Sequence, residues 1–367
     1  MLDLTLILPA LLSFSLAAII SPLIIWWYRR HGWVESPSQQ PLFKQTHLES
    51  VPRGGGLVIF LACLFSGLLF LRVDRYLIAI TLGSGLLALV GWWDDVVDLH
   101  PVFRLFTGLV ASLIVVGSGI GIAYISSPFG GVIHLDQPQI HFNFFGDHSI
   151  WLLSSAFAVF FIMWNMNIIN WSKGVDGQLP GFVAIASVFV GWLSLRFNDH
   201  LTQFNTLTLS LIVAGAFAGF LIWNFYPQKM MPGYGAGSLA GYLLSILAIL
   251  SGAKVATVLM TLAIPTADGV FTILRRLRAG KLPWWGDRGH LHHKLLDVLG
   301  WGRRRIAIFY WSTSFILGVI SLYLSTVGKI VVLLLVTGFV FGFLIWAKWQ
   351  SIKNSDSKQN PHLPITN

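Results

Sequence analysis

Cysteine is almost missing from this 367-residue chain: Cys63 stands alone, inside an apolar run. An intrachain disulfide and a cysteine zinc cluster are therefore excluded. Charge is also scarce. Asp, Glu, Lys and Arg make up 11%, against about a quarter in soluble domains. So few charges cannot cover a globular surface. Disorder is excluded from the opposite side, because 55% of the residues are hydrophobic and 14% aromatic. With a mean hydropathy of +0.72, the composition reads as an all-α polytopic membrane protein.

A crossing helix needs about 20 mostly apolar residues. Eleven runs qualify, at roughly 4–28, 54–72, 76–93, 105–126, 151–169, 179–195, 203–223, 239–252, 254–274, 306–325 and 328–347. The first has no basic residue before it and carries Asp3, with Arg29 and Arg30 after it. It reads as a signal anchor with the N-terminus outside. Alternation then puts 19 of the 24 Lys and Arg residues on one side, which is expected to be cytoplasmic, together with the C-terminus. The net charge of +9 serves orientation and anionic lipid headgroups, so it does not call for nucleic acid. Of the outside loops only 127–150 is long, and it reads as a small hairpin on the membrane. No internal repeat is visible. Residues 1–350 are expected to form one integral membrane domain, followed by a polar, disordered cytoplasmic tail at 351–367.

With so few acids, their placement is informative. Asp94, Asp95 and Asp98 gather at the cytoplasmic end of the third run. On a helix Asp94 and Asp98 share a face, and Asp95 points about 100° away. Three carboxylates at a helix C-terminus repel one another and the dipole, unless cationic groups or a divalent ion neutralise them. Mg²⁺ suits one or two carboxylates completed by substrate phosphates. A solvated loop that stops a span is the plainer account. Asn167 and Asn170 lie one turn apart before Ser172-Lys173-Gly174-Val175-Asp176-Gly177. Amides can read a base or a sugar, and glycines let backbone approach a ligand; a turn with Asn caps is the alternative. Asn224 opens the segment 224–238, which ends in Pro232-Gly233-Tyr234-Gly235-Ala236-Gly237-Ser238; its glycine spacing could form an anion nest before a helix starting near Ser238, and a Gly-rich connection is the alternative.

Asp268 lies inside an apolar run, where a charge costs about 2.5–3.5 kcal/mol on insertion scales and faces a cavity or a partner. Arg275, two turns on, is a candidate partner. The longest cytoplasmic loop carries Arg275, Arg276, Arg278 and Lys281, then Asp287-Arg288-Gly289-His290-Leu291-His292-His293. Arginine forks match phosphate oxygens and histidine can donate to phosphate or bind metal. Topology alone does not need three histidines within four residues. These clusters suit a soluble diphosphate substrate meeting an acceptor held in the membrane.

The motifs resemble those of the polyprenyl-phosphate N-acetylhexosamine-1-phosphate transferases, over most of 29–305. Asp94-Asp95-Val96-Val97-Asp98 looks like the family's DDxxD. His47 with Pro52-Arg53-Gly54-Gly55-Gly56 looks like its first cytoplasmic loop. Asn167, Asn170 and Gly174-Val175-Asp176-Gly177 look like its NxxNxxDGxDG, and Asn224 with Pro227 like the stretch before GDxGS. His290-Leu291-His292-His293 is similar to the HxHH loop of the GlcNAc-1-phosphate branch. Two positions depart: Lys173 replaces the first Asp of DGxDG, and Tyr234 or Gly235 stands where GDxGS has its Asp.

What the resemblance implies is a transfer of a sugar 1-phosphate, most simply GlcNAc-1-phosphate, from a UDP-sugar to undecaprenyl phosphate, with UMP leaving. It implies Mg²⁺ or Mn²⁺ at Asp94 and Asp95, with Asp98 in support. It implies substrate contacts from His47, Asn167, Asn170, Lys173, Asp176, Asn224, Arg288, His290, His292 and His293. The expected setting is the bacterial inner membrane, with a homodimer as the assembly. The two missing carboxylates keep a second class in play: a catalytically impaired paralogue that binds polyprenyl phosphate or a partner transferase. A transporter would need charged residues along the midplane in both halves, and apart from Asp268 the runs lack them.

Overall fold

The computed structural model describes residues 4–35, 50–127, 129–143, 147–195, 200–252, 255–283 and 287–359. Helices dominate them. In chain order they are α1 (Leu4–Arg30), α2 (Gly55–Phe70), α3 (Arg75–Val97), α4 (Pro101–Gly117), α5 (Leu152–Trp171), α6 (Gln178–Ser194), α7 (His200–Asn224), α8 (Gly233–Leu250), α9 (Val255–Thr261), α10 (Ala263–Arg278), α11 (Leu291–Asp297), α12 (Arg303–Tyr323) and α13 (Thr326–Gln359). Each of the eleven apolar runs falls on this series. Among the described residues seven helices are long and apolar enough to cross a membrane. Three more, α2, α4 and α6, are apolar but have only 16 or 17 residues. The run at 254–274 is the pair α9 and α10, bent by 85°. Residues 360–367 of the expected tail, and His47, lie outside the described residues.

The centre of the bundle is α8, buried nearly throughout. It starts at Gly233, not near Ser238, so the Gly-rich stretch is the helix's own first turns. The reason is packing. A Cβ on Gly91 would meet the backbone of Gly235 at 2.5 Å, and one on Gly56 would meet it at 2.8 Å. A Cβ on Gly237 would run into the Asn170 side chain at 2.5 Å. Small residues let backbones approach closely where lipid gives no hydrophobic drive between helices. Glycines here join α2, α3 and α5 to α8, and those four helices carry the clustered polar groups to one end of the bundle.

Local signals set the ends that matter. Asp74 caps α3, accepting from the Leu77 amide at 2.8 Å. The far end of α3 stops at Asp98, which takes the left-handed conformation with φ of 50°. Pro101 then opens α4 within three residues. At the other end of the bundle the expected hairpin is two ribbons. β3 (Tyr124–Ser126) pairs with β4 (Val132–His134), and β5 (Gln139–Asn143) with β6 (Asp147–Trp151), all antiparallel. A third small ribbon, β1 (Val34–Glu35) with β2 (Val51–Pro52), returns the chain from α1 to α2.

Candidate active site

A cleft of about 310 Å³ opens at the end of the bundle where α3, α5 and α10 finish and α4 and α8 begin. Asp94, Asp98, Arg104, Asn170, Lys173, Tyr234, Asp287, His290, His292 and His293 line it. Asp94, Asn170 and His292 come from segments far apart in the chain and share this one space. A larger cavity, about 560 Å³, lies at the opposite end of α3 beside Asp74 and Tyr76. None of the clustered groups reaches it, so size does not select the site.

The acidic cluster divides as helical geometry requires. Asp94 is buried, and the Arg104 Nε lies 2.5 Å from its Oδ1. A second guanidinium nitrogen of Arg104 lies 2.5 Å from the exposed Asp98. Asp95 turns the other way and accepts from the Tyr28 hydroxyl of α1 at 3.2 Å. Its other oxygen is buried without a hydrogen-bond partner. Arg104 is the lone basic residue of the 94–104 segment, and its charge balance with the acids was the signal for it. Tyr28 gave no such signal, because a tyrosine at a span end is ordinarily an interface anchor. Arg53 also lines the cleft, ion-paired with Glu35.

Lys173 lies across from these acids. Its ammonium donates to the Gly233 carbonyl at 2.5 Å, at the mouth of α8. Burial is the main reason its pKa falls from 10.5 to about 8. Arg104 and Arg53 push the same way, and the attraction of Asp94 and Asp95 opposes them. Asn170 donates to the Ser238 hydroxyl at 2.7 Å, which ties α5 to α8 beside it.

The histidine loop is held by Asp268. Its partners are not Arg275: Asp268 accepts from the Leu291 amide at 2.8 Å and lies 2.9 Å from His290 Nδ1. Arg276 lies 3.3 Å from His290 Nε2, so the network assigns the ring proton to Nδ1. Arg275 and Arg276 both pair with Asp287, at 2.6 and 3.0 Å. Burial alone would raise the Asp287 pKa, but donations from Arg275, the Gly289 amide and Arg276 outweigh it and hold the carboxyl at about 2. Burial presses His292 well below its ordinary value and His293 down to about 4, with Arg288 and neighbouring histidines adding to both. At neutral pH these rings are therefore uncharged. They can donate or accept one hydrogen bond at each nitrogen, but supply no net charge. His292 Nδ1 is buried without a hydrogen-bond partner, and the ring lies against Gly174, where any Cβ would collide with it.

Four predicted contact residues sit outside the cleft lining. Asn167 donates back to the Met163 carbonyl at 2.8 Å. Asp176 accepts from the Gln228 amide at 3.2 Å and lies 3.7 Å from Arg303. Asn224 accepts from the Gly177 amide at 3.0 Å and donates to the Met230 carbonyl at 2.9 Å. Asp176 and Asn224 thus tie together the loops that present Lys173 and Gly233. Arg288 pairs with Asp297 at 2.8 Å on the flank of α11.

Among the described residues no three His, Cys, Asp or Glu side chains converge on one metal position. Asp94 lines the cleft, whereas Asp95, with one oxygen buried without a hydrogen-bond partner, is not among the lining residues. A single cleft carboxylate suits an ion that fills its shell from substrate phosphate and water.

Residues 77–252 match the family described as glycosyl transferase family 4. A probable undecaprenyl-phosphate N-acetylglucosaminyl 1-phosphate transferase of Bacillus subtilis is 26% identical over 324 residues, covering 86% of this chain and 84% of its own. A phospho-N-acetylmuramoyl-pentapeptide-transferase of a Geobacillus species is 27% identical over 340 residues, covering 89% and 99%. A decaprenyl-phosphate N-acetylglucosaminephosphotransferase of Mycolicibacterium smegmatis is 27% identical over 330 residues, covering 80% and 77%.

Proposed function

We propose that this chain, matched over residues 77–252 by glycosyl transferase family 4 and similar to named sugar-phosphate transferases, is a membrane-embedded sugar-phosphate transferase whose donor is a UDP-linked N-acetylhexosamine, most simply UDP-GlcNAc, and whose acceptor is undecaprenyl phosphate. The observation that carries this reading is the meeting of Asp94, Asn170, Lys173 and His292 in one cleft at the end of apolar helices. A soluble diphosphate can enter there while a lipid phosphate arrives along the helix surfaces.

A phosphate oxygen of the acceptor attacks the sugar-bearing β-phosphorus. The bond from that phosphorus to the bridging oxygen breaks, and UMP leaves with the bridging oxygen and its electron pair. The acceptor oxygen is already anionic at pH 7, so orientation outweighs proton removal. Lys173 places an ammonium, and Arg104 and Arg53 place guanidinium groups, around the developing charge. Asn170, His292 and His293 offer neutral hydrogen bonds to the sugar or phosphate. His290, with both nitrogens engaged, sets the position of the loop. Asp94 and Asp95 would hold magnesium, which when bound supplies positive charge to the diphosphate. Lys173, one charged group where the resemblance places a carboxylate, supplies part of that positive charge from the protein itself.

The proposal places one domain, residues 1–350, in the bacterial inner membrane as a homodimer. It has eleven crossings if the three short helices and the bent pair each span, with the N-terminus outside and the C-terminus inside. Cysteine labelling from each side checks the crossings, and light scattering in detergent checks the assembly. A second donor is favoured by one observation: the Geobacillus relative is named a phospho-N-acetylmuramoyl-pentapeptide-transferase, at 27% identity against 26% and 27% for the two N-acetylglucosamine-type relatives. Purified protein given UDP-GlcNAc and UDP-N-acetylmuramoyl-pentapeptide in competition decides between them. Preferential use of the pentapeptide donor overturns the GlcNAc assignment.

A further inference from the structure

A second concave site lies at the same end of the bundle, apart from the transfer cleft. Pro22, Ile25, Trp26, Arg29 and Arg30 of α1 face Trp223 of α7 and Lys229 across a space of about 480 Å³. It shares no lining residue with the cleft. The geometry of α1 explains the separation. Pro22, Ile25, Trp26 and Arg29 follow the i, i+3, i+4, i+7 pattern of one face, and Tyr28, which donates to Asp95, points about 120° away from it.

Three cations line this space, and no ion pair joins any of them to a carboxylate among the described residues. Two lie over aromatic rings: Arg30 at 5.3 Å from the Trp26 centroid and Lys229 at 5.4 Å from that of Trp223. Trp223 is fixed in place, donating its indole N–H to the Ala18 carbonyl at 2.9 Å. Orientation by charge needs basic residues on one side of the membrane, but neither a pocket nor an anchored indole. Above the pocket runs an apolar stripe. Ile19, Leu23 and Trp26 are 64%, 61% and 59% exposed, and Ile222 of α7, the residue before Trp223, is 55% exposed.

We propose that this pocket binds the phosphate headgroup of an anionic bilayer phospholipid whose acyl chains lie along the Leu23–Ile19 stripe. Basic side chains supply the charge, and tryptophans sit where headgroup meets hydrocarbon. A resident bilayer lipid suits the place better than the acceptor, because the pocket faces away from Asp95 and the cleft. The site also touches the cleft wall through the chain. The Lys229 and Met230 amides both donate to the Trp223 carbonyl, at 2.8 and 3.1 Å. Met231, Pro232 and Gly233, the next residues, line the cleft. A bound headgroup therefore braces the segment whose Gly233 carbonyl holds Lys173.

The test is lipid retention, which is read without turnover and so fails or succeeds apart from the transfer reading. Full-length protein is mixed with phosphatidylglycerol, phosphatidylcholine or undecaprenyl phosphate and examined by native mass spectrometry. Wild type is expected to keep one phosphatidylglycerol and to shed phosphatidylcholine. The R29Q/R30Q/K229Q variant is expected to hold phosphatidylglycerol about a hundredfold more weakly, from roughly fivefold per basic residue. R29K/R30K/K229R, which keeps the charges, restores retention and guards against misfolding. A control with the same charge loss elsewhere at this end, R278Q/R305Q/K348Q, keeps the lipid. Equal loss in the control means unspecific attraction and overturns the proposal. Retention of undecaprenyl phosphate but not phosphatidylglycerol overturns it too, and assigns the pocket to the acceptor.

Discussion

Replacing Lys173 by methionine removes the one ammonium that lines the cleft among the described residues while keeping a side chain of similar length. Its nitrogen lies 2.5 Å from the Gly233 carbonyl and faces Asp94 and Asp95. Taking away a preorganised group aimed at developing charge costs about 10²–10³ in kcat. Lys173→Met is expected in that range, with a higher magnesium concentration needed for half-maximal rate. The pH dependence is sharper still. With a pKa of about 8, the ammonium is present below that value and lost above it. About nine-tenths of the molecules carry it at pH 7 and about one-tenth at pH 9. Wild-type kcat/KM should therefore be flat below pH 8 and fall toward tenfold per unit above it. His292 and His293, held below their ordinary range, stay neutral across this window and add no inflection. Lys173→Arg, charged throughout, should lose the alkaline fall even where its rate is lower. Initial rates of UMP release between pH 6 and 10 read all three proteins. A methionine variant with unchanged rate and magnesium dependence, or an arginine variant with the same alkaline fall, refutes this role.

Other outcomes follow from the same contacts. Arg104→Gln leaves Asp94 buried and unpaired, and should cost about 2–3 kcal/mol in thermal melts, less than a fully buried pair because Arg104 stays 26% exposed. Asp94→Asn added to it should recover part of that loss; simple additivity would show the two do not interact. Gly91→Leu forces a side chain into the Gly235 backbone and should destabilise by about 1–3 kcal/mol or more, whereas a melt equal to wild type would show that α3 and α8 are not in contact there. Asp268→Asn should slow transfer by at least about tenfold through a displaced His290 loop, with little change in KM for the acceptor, while Arg278→Gln, outside the ion pairs with Asp287, should leave that loop in place. Protection of the 287–293 amides in hydrogen exchange separates these two. On the stability side, Lys173 binds a proton more readily in the unfolded chain between about pH 8 and 10.5, so its contribution to stability rises with pH through that window.

The apolar runs were legible because a bilayer demands internally satisfied backbone, and hydropathy reports that demand directly. The division of the acidic cluster was legible too: the helical period alone separates Asp95 from Asp94 and Asp98, and the structure gives them Tyr28 and Arg104 as separate partners. The 85° break between α9 and α10 was not, since two apolar segments joined at Thr261–Ala263 look the same straight or bent. The glycines of 233–237 misled for a physical reason. Glycine serves both loops and tight helix contacts, and only the partners Gly56 and Gly91, far away in sequence, show which use applies. Asp268 showed that a buried acid needs a partner, but nearness in sequence pointed to Arg275, whereas the chain folds His290 back onto it across 22 residues.

The proposed work of the cleft is to pass a sugar phosphate from a nucleotide to a lipid. The direct measurement supplies purified protein with undecaprenyl phosphate and UDP-GlcNAc labelled in the sugar and in the β-phosphate. The predicted result is UMP formed in equal amount with a lipid that carries both labels. If UMP never appears with this donor or with UDP-N-acetylmuramoyl-pentapeptide, or the lipid gains the sugar without the labelled phosphorus, the account is contradicted.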